Sequence, residues 1–195
     1  MGPTVDAKRS GRASALPPDE RRSAIIAATL PLLLEHAEMV TTRQIAEAAG
    51  IAEGTIFRVF DDKDAVIAAV IEHAVDPSPV EDLLGALDAS SPLEPVLTEA
   101  IAILQRRTIE IWRLMSSVGP RFHDQVRQPM TDSPGAVAIF EAHRDEIRIS
   151  PVEAARQLRA VTLAASHPML VEAPVPPAEL ADRFLHGILA GAAPC

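Results

Sequence analysis

Thr41-Thr42-Arg43-Gln44-Ile45-Ala46-Glu47-Ala48-Ala49-Gly50-Ile51-Ala52-Glu53-Gly54-Thr55-Ile56-Phe57-Arg58-Val59-Phe60-Asp61-Asp62-Lys63-Asp64 is the stretch on which the fold of this chain turns. Thr41 can accept from an orphan amide at a helix start while Gln44, three residues on, reaches back, which is the capping-box arrangement. Ile45, Ala46 and Ala49 then give a small apolar face, and Gly50 ends the helix as a residue able to take positive φ. A second short helical segment is expected at about 53–59, with Ile56 and Phe60 four residues apart on its inward side. Two short helices joined by a tight turn match a helix-turn-helix, whose second helix can enter the major groove of DNA. With Ile56 and Phe60 inward, Thr55, Phe57 and Arg58 project elsewhere and offer a hydroxyl, a ring and a guanidinium within one turn.

Upstream, Ile25, Ala28, Thr29, Leu32 and Leu33 recur at helical spacing and predict one helix over 20–36, bent at Pro31 where a backbone donor is missing. Residues 1–18 mix Gly, Ser, Ala and Pro with Lys8, Arg9 and Arg12 and read as a flexible arm, either solubilising or following DNA phosphates. Downstream, Asp61 or Asp62 can cap a helix that carries Val66, Ile67, Val70 and Ile71 and stops at Asp76-Pro77. A short helix is expected within 79–89. Leu93, Leu97, Ile101, Leu104, Thr108, Ile111, Met115 and Val118 then form one apolar stripe, predicted to pack on helices at 135–147 and 151–167. A last helix is expected at 177–190. No alternating apolar-polar run suggests a sheet, so the chain reads all-α: a flexible arm (1–18), a three-helix DNA-binding head (19–64), a connecting helix (65–76), a helical body (77–190) and a tail (191–195).

The 195 residues are 48% hydrophobic but only 3% aromatic, with no tyrosine, so the core must be aliphatic. One cysteine, Cys195, excludes an internal disulfide and a cysteine-based metal site. Neither a signal-peptide core nor a bilayer-spanning run occurs, which predicts a cytoplasmic protein that does not enter a membrane. The net charge of −9 lacks the footprint of a basic nucleic-acid-binding domain. Residues 1–75 carry 8 basic and 11 acidic groups, so any contact with DNA must come from locally organised side chains. There is no glycine-rich phosphate loop or serine elbow. The six histidines form no His-x-x-x-His pair, and no catalytic constellation, metal site or cofactor is expected.

The run from Thr41 to Asp64 closely resembles the DNA-binding signature of the tetracycline-repressor (TetR) family. That signature is a Thr-Thr start, an Ile-Ala-x-x-Ala-Gly helix and turn, a Gly-Thr-aliphatic-aromatic recognition helix, then an aromatic and a Lys-acid pair. The resemblance extends over residues 20–75; beyond them it rests on helical layout and on the closing Phe184-Leu185-His186-Gly187 segment. It implies a bacterial transcriptional regulator, most often a homodimeric repressor, with a variable C-terminal ligand chamber. Carried over residue by residue, Thr42 and Arg43 would touch DNA at the start of the second helix, Arg43 reaching a base edge such as guanine O6/N7. Thr55 would contact a phosphate, Lys63 would hold the backbone, and Arg58 would read a base. Phe57 stands where tyrosine is usual and keeps the ring without the phosphate hydrogen bond. Ala52 replaces a frequent capping serine, a change that costs about 0.5–2 kcal/mol locally. Ala37 stands where a turn glycine is common, and Val59 where basic or polar residues are frequent.

For each site residue a plain structural role is also open: Arg43 and Arg58 as solvated charges, Phe57 as core, Lys63 paired with Asp61 or Asp64. In the body, Trp112, Met115, Phe122, Phe140 and His143 are candidates for the wall of an apolar ligand chamber, or else ordinary core with a satisfied histidine. Val152, Ala155, Leu158, Val161, Thr162, Leu180, Phe184, Gly187 and Ile188 put small and aliphatic groups on the last two helices, where the resemblance implies a dimer interface. The leading expectation is a repressor that binds a near-palindromic operator in double-stranded DNA as a homodimer. A small apolar or amphipathic effector would release it. The alternatives are an effector-independent regulator or activator, or a helical ligand- or protein-binding module that has lost DNA binding. An enzyme is not expected.

Overall fold

The computed structural model describes residues 17–122 and 131–186, and every regular element among them is helical. In chain order these are α1 (Pro18–His36), α2 (Thr42–Ala48), α3 (Glu53–Ile56), α4 (Lys63–Val75), α5 (Ser78–Gly85), α6 (Leu93–Ser117), α7 (Pro134–Ala142), α8 (Pro151–Ala164) and α9 (Pro177–His186). Short 3-10 turns lie at Ala37–Met39 and Arg144–Glu146. No helix among the described residues is long and apolar enough to cross a membrane.

Proline and local caps set most helix starts. Pro18, Pro134 and Pro151 occupy first-turn positions, where their missing N–H would have no intrahelical acceptor. The hydroxyls of Ser133 and Ser150 accept from Ala136 N and Glu153 N, and Asp62 Oδ1 accepts from Ala65 N at 2.8 Å. Asp62, rather than Asp61, is therefore the cap of α4. Pro31 lies inside α1 without ending it. The carbonyl it leaves without a donor is that of Ala27, on the exposed side, where water can reach it.

Two apolar cores result. In the first, Ile25 and Leu33 of α1, Ile45 of α2, Ile56 of α3 and Ile67 of α4 are fully buried together. Truncating any of them to alanine costs about 2–5 kcal/mol on the usual scale for such cavities. Leu114, Met115, Val118 and Phe122 belong to this same core, so the end of α6 is built into the N-terminal head. The second core joins Leu97 and Ile101 of α6 with Phe140 of α7, Leu158 of α8 and Leu180 of α9. Here α6 packs chiefly on α9 and α8, and α7 packs mainly on α5 and α8, with a minor contact to α6. The expected pairing of the α6 stripe with α7 is thus largely replaced. Gly135 permits the close approach of α7 to α5, since a Cβ there would lie 2.7 Å from Leu84 Cβ.

Head and body are also tied by polar contacts. Glu38 accepts from Gly119 N, and Arg121 Nη2 reaches Asp64 Oδ1 at 2.9 Å and Glu38 Oε2 at 3.8 Å. The chain turns between α1 and α2 through Ala37, at φ 53 and ψ −143, the one non-glycine residue with positive φ among those described. A side chain there is strained by about 1–3 kcal/mol, partly offset by the entropy that glycine loses on folding. Ala37→Gly is therefore expected to stabilise the protein by about 1 kcal/mol, raising Tm in thermal unfolding; an unchanged or lower Tm would show that the turn carries no strain.

Candidate functional site

The head is assembled around a closed set of local bonds. Thr41 N donates to Gln44 Oε1 at 2.9 Å and Gln44 N donates to Thr41 Oγ1 at 3.2 Å, so the capping box read from the sequence is formed. Gly50 takes φ +66, the left-handed value the turn demands. Ala52 supplies no side-chain cap to α3. Instead Thr42 Oγ1 donates to Glu53 Oε1 at 2.5 Å, joining the first turns of α2 and α3. Ile56 and Phe60 point inward as expected, and Arg22 covers the Phe60 ring with its guanidinium carbon 4.4 Å from the centroid.

α3 ends at Ile56, earlier than the expected 59, and four of the candidate side chains, Arg43, Thr55, Phe57 and Arg58, lie on α2, α3 and the turn that follows. Phe57 is 52% exposed, an unusual position for a phenylalanine, and has no ring partner among the described residues. Arg58 is exposed and has no hydrogen-bond or ion-pair partner among the described residues. Arg43 is exposed too, but its Nε donates to Glu47 Oε1 at 3.0 Å; that bond and the Glu47 charge hold its guanidinium above its ordinary pKa. An exposed pair of this kind is worth little, so a stronger anion can displace Glu47. Thr55 is half-buried beside them. Lys63 stands apart: its Nζ donates to Glu38 O at 2.8 Å and Val40 O at 3.2 Å, closing the connection that leads into α2. One of its three N–H groups stays available for an outside acceptor.

A second feature lies in the body. Between α4, α5, α6 and α8 is a cavity of about 550 Å³, within the size range of small-molecule sites. Leu104, Thr108 and Ile111 form its α6 wall. These are the middle residues of the apolar stripe, and they are half-buried where those on either side are buried, because the stripe there faces a void. Trp112 stacks obliquely on His167, ring centroids 4.5 Å apart, and both line the cavity with Met115. Ile111, Met115 and Val75 belong at once to this wall and to the core of the head. Arg107 Nη2 donates to Asp76 O, the carbonyl just past α4, at 2.6 Å.

Of the five residues read as chamber wall, Trp112 and Met115 do line the cavity, while Phe122, Phe140 and His143 do not. Phe122 seals the head core under Arg121. Phe140 packs in the second core, 6.2 Å from Phe184. His143 is buried at the end of α7 with Nδ1 2.6 Å from Glu146 Oε1. Phe122, Phe140 and His143 are buried, and burial alone does not say against what. The cavity residues that sequence reasoning missed, Arg107 and Arg159 above all, have the spacing of ordinary solvent-facing arginines. Similarly, Ala155, Leu158, Thr162 and Leu180, expected on a dimer face, are buried within the chain itself. Val161 is 40% exposed, Val152 and Phe184 are half-buried, and Gly187 and Ile188 lie outside the described residues.

Residues 25–70 match the family model described as bacterial regulatory proteins, tetR family. No curated protein matches the chain significantly in sequence. Among solved structures, the chain is similar to a TetR-family transcriptional regulator from Streptomyces coelicolor at 21% identity and TM-score 0.53, over 88% of this chain and 79% of that one. It is also similar to the TetR-like regulator LfrR from Mycobacterium smegmatis, solved with proflavine, at 18% identity and TM-score 0.51, over 88% and 99%. A third likeness is to a TetR-family regulator from Haemophilus influenzae at 13% identity and TM-score 0.51, over 87% and 96%. The architecture of head and body is thus that of this group.

One polar atom of the cavity is out of balance. Thr162 is 1% exposed and its Oγ1 is buried without a hydrogen-bond partner. Such an orphan costs about 1–3 kcal/mol. Thr162→Val is therefore expected to raise Tm in the unliganded protein, and a fall by several degrees in differential scanning calorimetry would refute the assignment of that hydroxyl as unpaired.

Proposed function

We infer that the chain, a TetR-family transcriptional regulator by its N-terminal domain, is a repressor that binds a near-palindromic operator as a homodimer and is released by a small-molecule effector. The observation that carries this reading is the sharing of Ile111, Met115 and Val75 between the cavity wall and the head core. A molecule that fills the cavity pushes on side chains that also set the seat of α1 and α4, and protein interiors have little slack to absorb such a push. Repression and release then require only that the effector bind more tightly to the arrangement that fits DNA less well.

On DNA, α3 and the turn after it enter the major groove, bringing Phe57 and Arg58 to the bases, and Arg43 reaches a base edge from α2. Thr42, Thr55 and Lys63 make phosphate contacts, Thr42 after its hydroxyl exchanges Glu53 for a phosphate oxygen. Two copies related by a two-fold axis double these contacts and select a near-palindrome. For the dimer, the exposed side of α8 and α9 is the favoured face: Val161, Phe184, Leu185 and Gln157 border a long groove there.

Selection from random duplex DNA, repeated at several salt concentrations, tests the reading. A near-palindromic motif and a steep loss of affinity with salt are expected. Arg58→Ala and Arg43→Ala are each expected to weaken binding about tenfold to a hundredfold and to relax preference at one position per half-site. A folded protein that enriches no sequence, with or without candidate effectors, would favour the alternative of a helical binding module without DNA.

A further inference from the structure

The charged and polar groups around the cavity are unevenly matched. Arg107 and Arg159 both line it, and among the described residues each has a single backbone carbonyl as side-chain hydrogen-bond partner, Asp76 O and Thr131 O respectively. Neither lies within salt-bridge distance of a carboxylate among the described residues, while Glu110 and Asp76 act on Arg107, and Asp132 on Arg159, at longer range. Burial pushes the Arg107 guanidinium below its ordinary pKa, which reports a positive charge partly stripped of water. The acidic group in the wall, Glu81, is already engaged: its Oε2 accepts from Ser133 Oγ and Gly135 N. Met169 N donates to His167 Nδ1, so the proton of a neutral imidazole sits on Nε2. Thr162 adds a buried hydroxyl that has no acceptor. Around an apolar space built from Leu104, Ile111 and Trp112, the polar fringe therefore holds two guanidinium cations, the Glu81 carboxylate with its Oε2 engaged, and the unpaired Thr162 hydroxyl.

We propose that this cavity takes an amphipathic organic anion, an apolar body ending in a carboxylate or comparable acidic group, with Arg107 and Arg159 pairing to the anion and Thr162 donating to it. A cation meets two like charges in this wall, and a neutral apolar molecule leaves the guanidinium charges and the Thr162 hydroxyl unpaired. Both lose the interaction that the arginines supply. The inference rests on the reading of the cavity as the effector site and names the chemical class that fits it. It also gives the effector a direct route to the head. Arg107 holds the carbonyl that follows α4, and an anion competing for its guanidinium loosens that hold.

Trp112 is the sole tryptophan of the chain and lines the cavity, so its fluorescence reports occupancy. The full-length protein is titrated with decanoate, decanol and decyltrimethylammonium, and in parallel with 4-phenylbutyrate, 4-phenylbutanol and 4-phenylbutylammonium, with calorimetry as a second readout. In at least one shape series the anion is expected to perturb Trp112 and to bind tenfold or more tighter than the alcohol, with the ammonium weakest. Arg159→Gln and Arg107→Gln are each expected to lower affinity for the anion about tenfold while leaving that for the alcohol unchanged, the alcohol serving as the check that the cavity still folds. Thr162→Val is expected to weaken the anion by a smaller factor. Equal binding of anion and alcohol, or preference for the ammonium, overturns the proposal and leaves the effector site standing. Absence of any Trp112 response or heat in both series overturns both. Anion binding that depends on the two arginines but does not alter operator affinity keeps the proposal and overturns release by effector.

Discussion

The last turns of α6 carry the coupling on which the rest of the architecture depends. Leu114, Met115 and Val118 are buried in the head, although the sequence that contains them begins in the body. A helix of 25 residues spans about 37 Å, long enough to run from the second core past the cavity into the first. Its rigidity comes from unbroken intrahelical hydrogen bonds. Its position at the head is held by apolar packing and by the bonds of Glu38 to Gly119 and of Arg121 to Asp64. The structure therefore has two cores, and α6 runs from one to the other along the cavity wall.

Charge in the head is used mostly for shape. Thr42 is bonded to Glu53, Arg43 to Glu47, Lys63 to two carbonyls and Arg22 to the face of Phe60. These contacts fix two helices so short that neither would persist alone in water. Most are exposed and individually weak, so they can yield to a polyanion at small cost. With a net charge of −9, the overall field of the chain does little to attract a polyanion. Phe57 is exposed, and the Arg58 side chain makes no hydrogen bond or ion pair among the described residues.

Much of the head was legible because its signals are local. A capping box needs only residues three apart, and Thr41 with Gln44 forms it as read. The inward pair Ile56 and Phe60, the turn at Gly50 and the stop at Asp76 follow from spacings of four or fewer, or from the backbone freedom of one residue. The body was legible as helices but not as surfaces. Periodicity marks which side of α6 is apolar, and it cannot tell a side chain facing another helix from one facing a void. So Leu104, Thr108 and Ile111 read as core and turn out to be wall. The same limit moved Phe140 from wall to core and Ala155, Leu158, Thr162 and Leu180 from interface to interior.

The sequence by itself determined the all-helical class, the helix-turn-helix and its register, and which few side chains can project from it, because caps, turns and i,i+4 faces are set by neighbours along the chain. Only the tertiary structure decided where α5, α6 and α8 fail to close on one another, which arginines border that gap, and that the end of α6 belongs to the head. Those are outcomes of long-range packing, in which residues as far apart as Val75, Ile111 and Thr162 meet in a common space that no local pattern encodes.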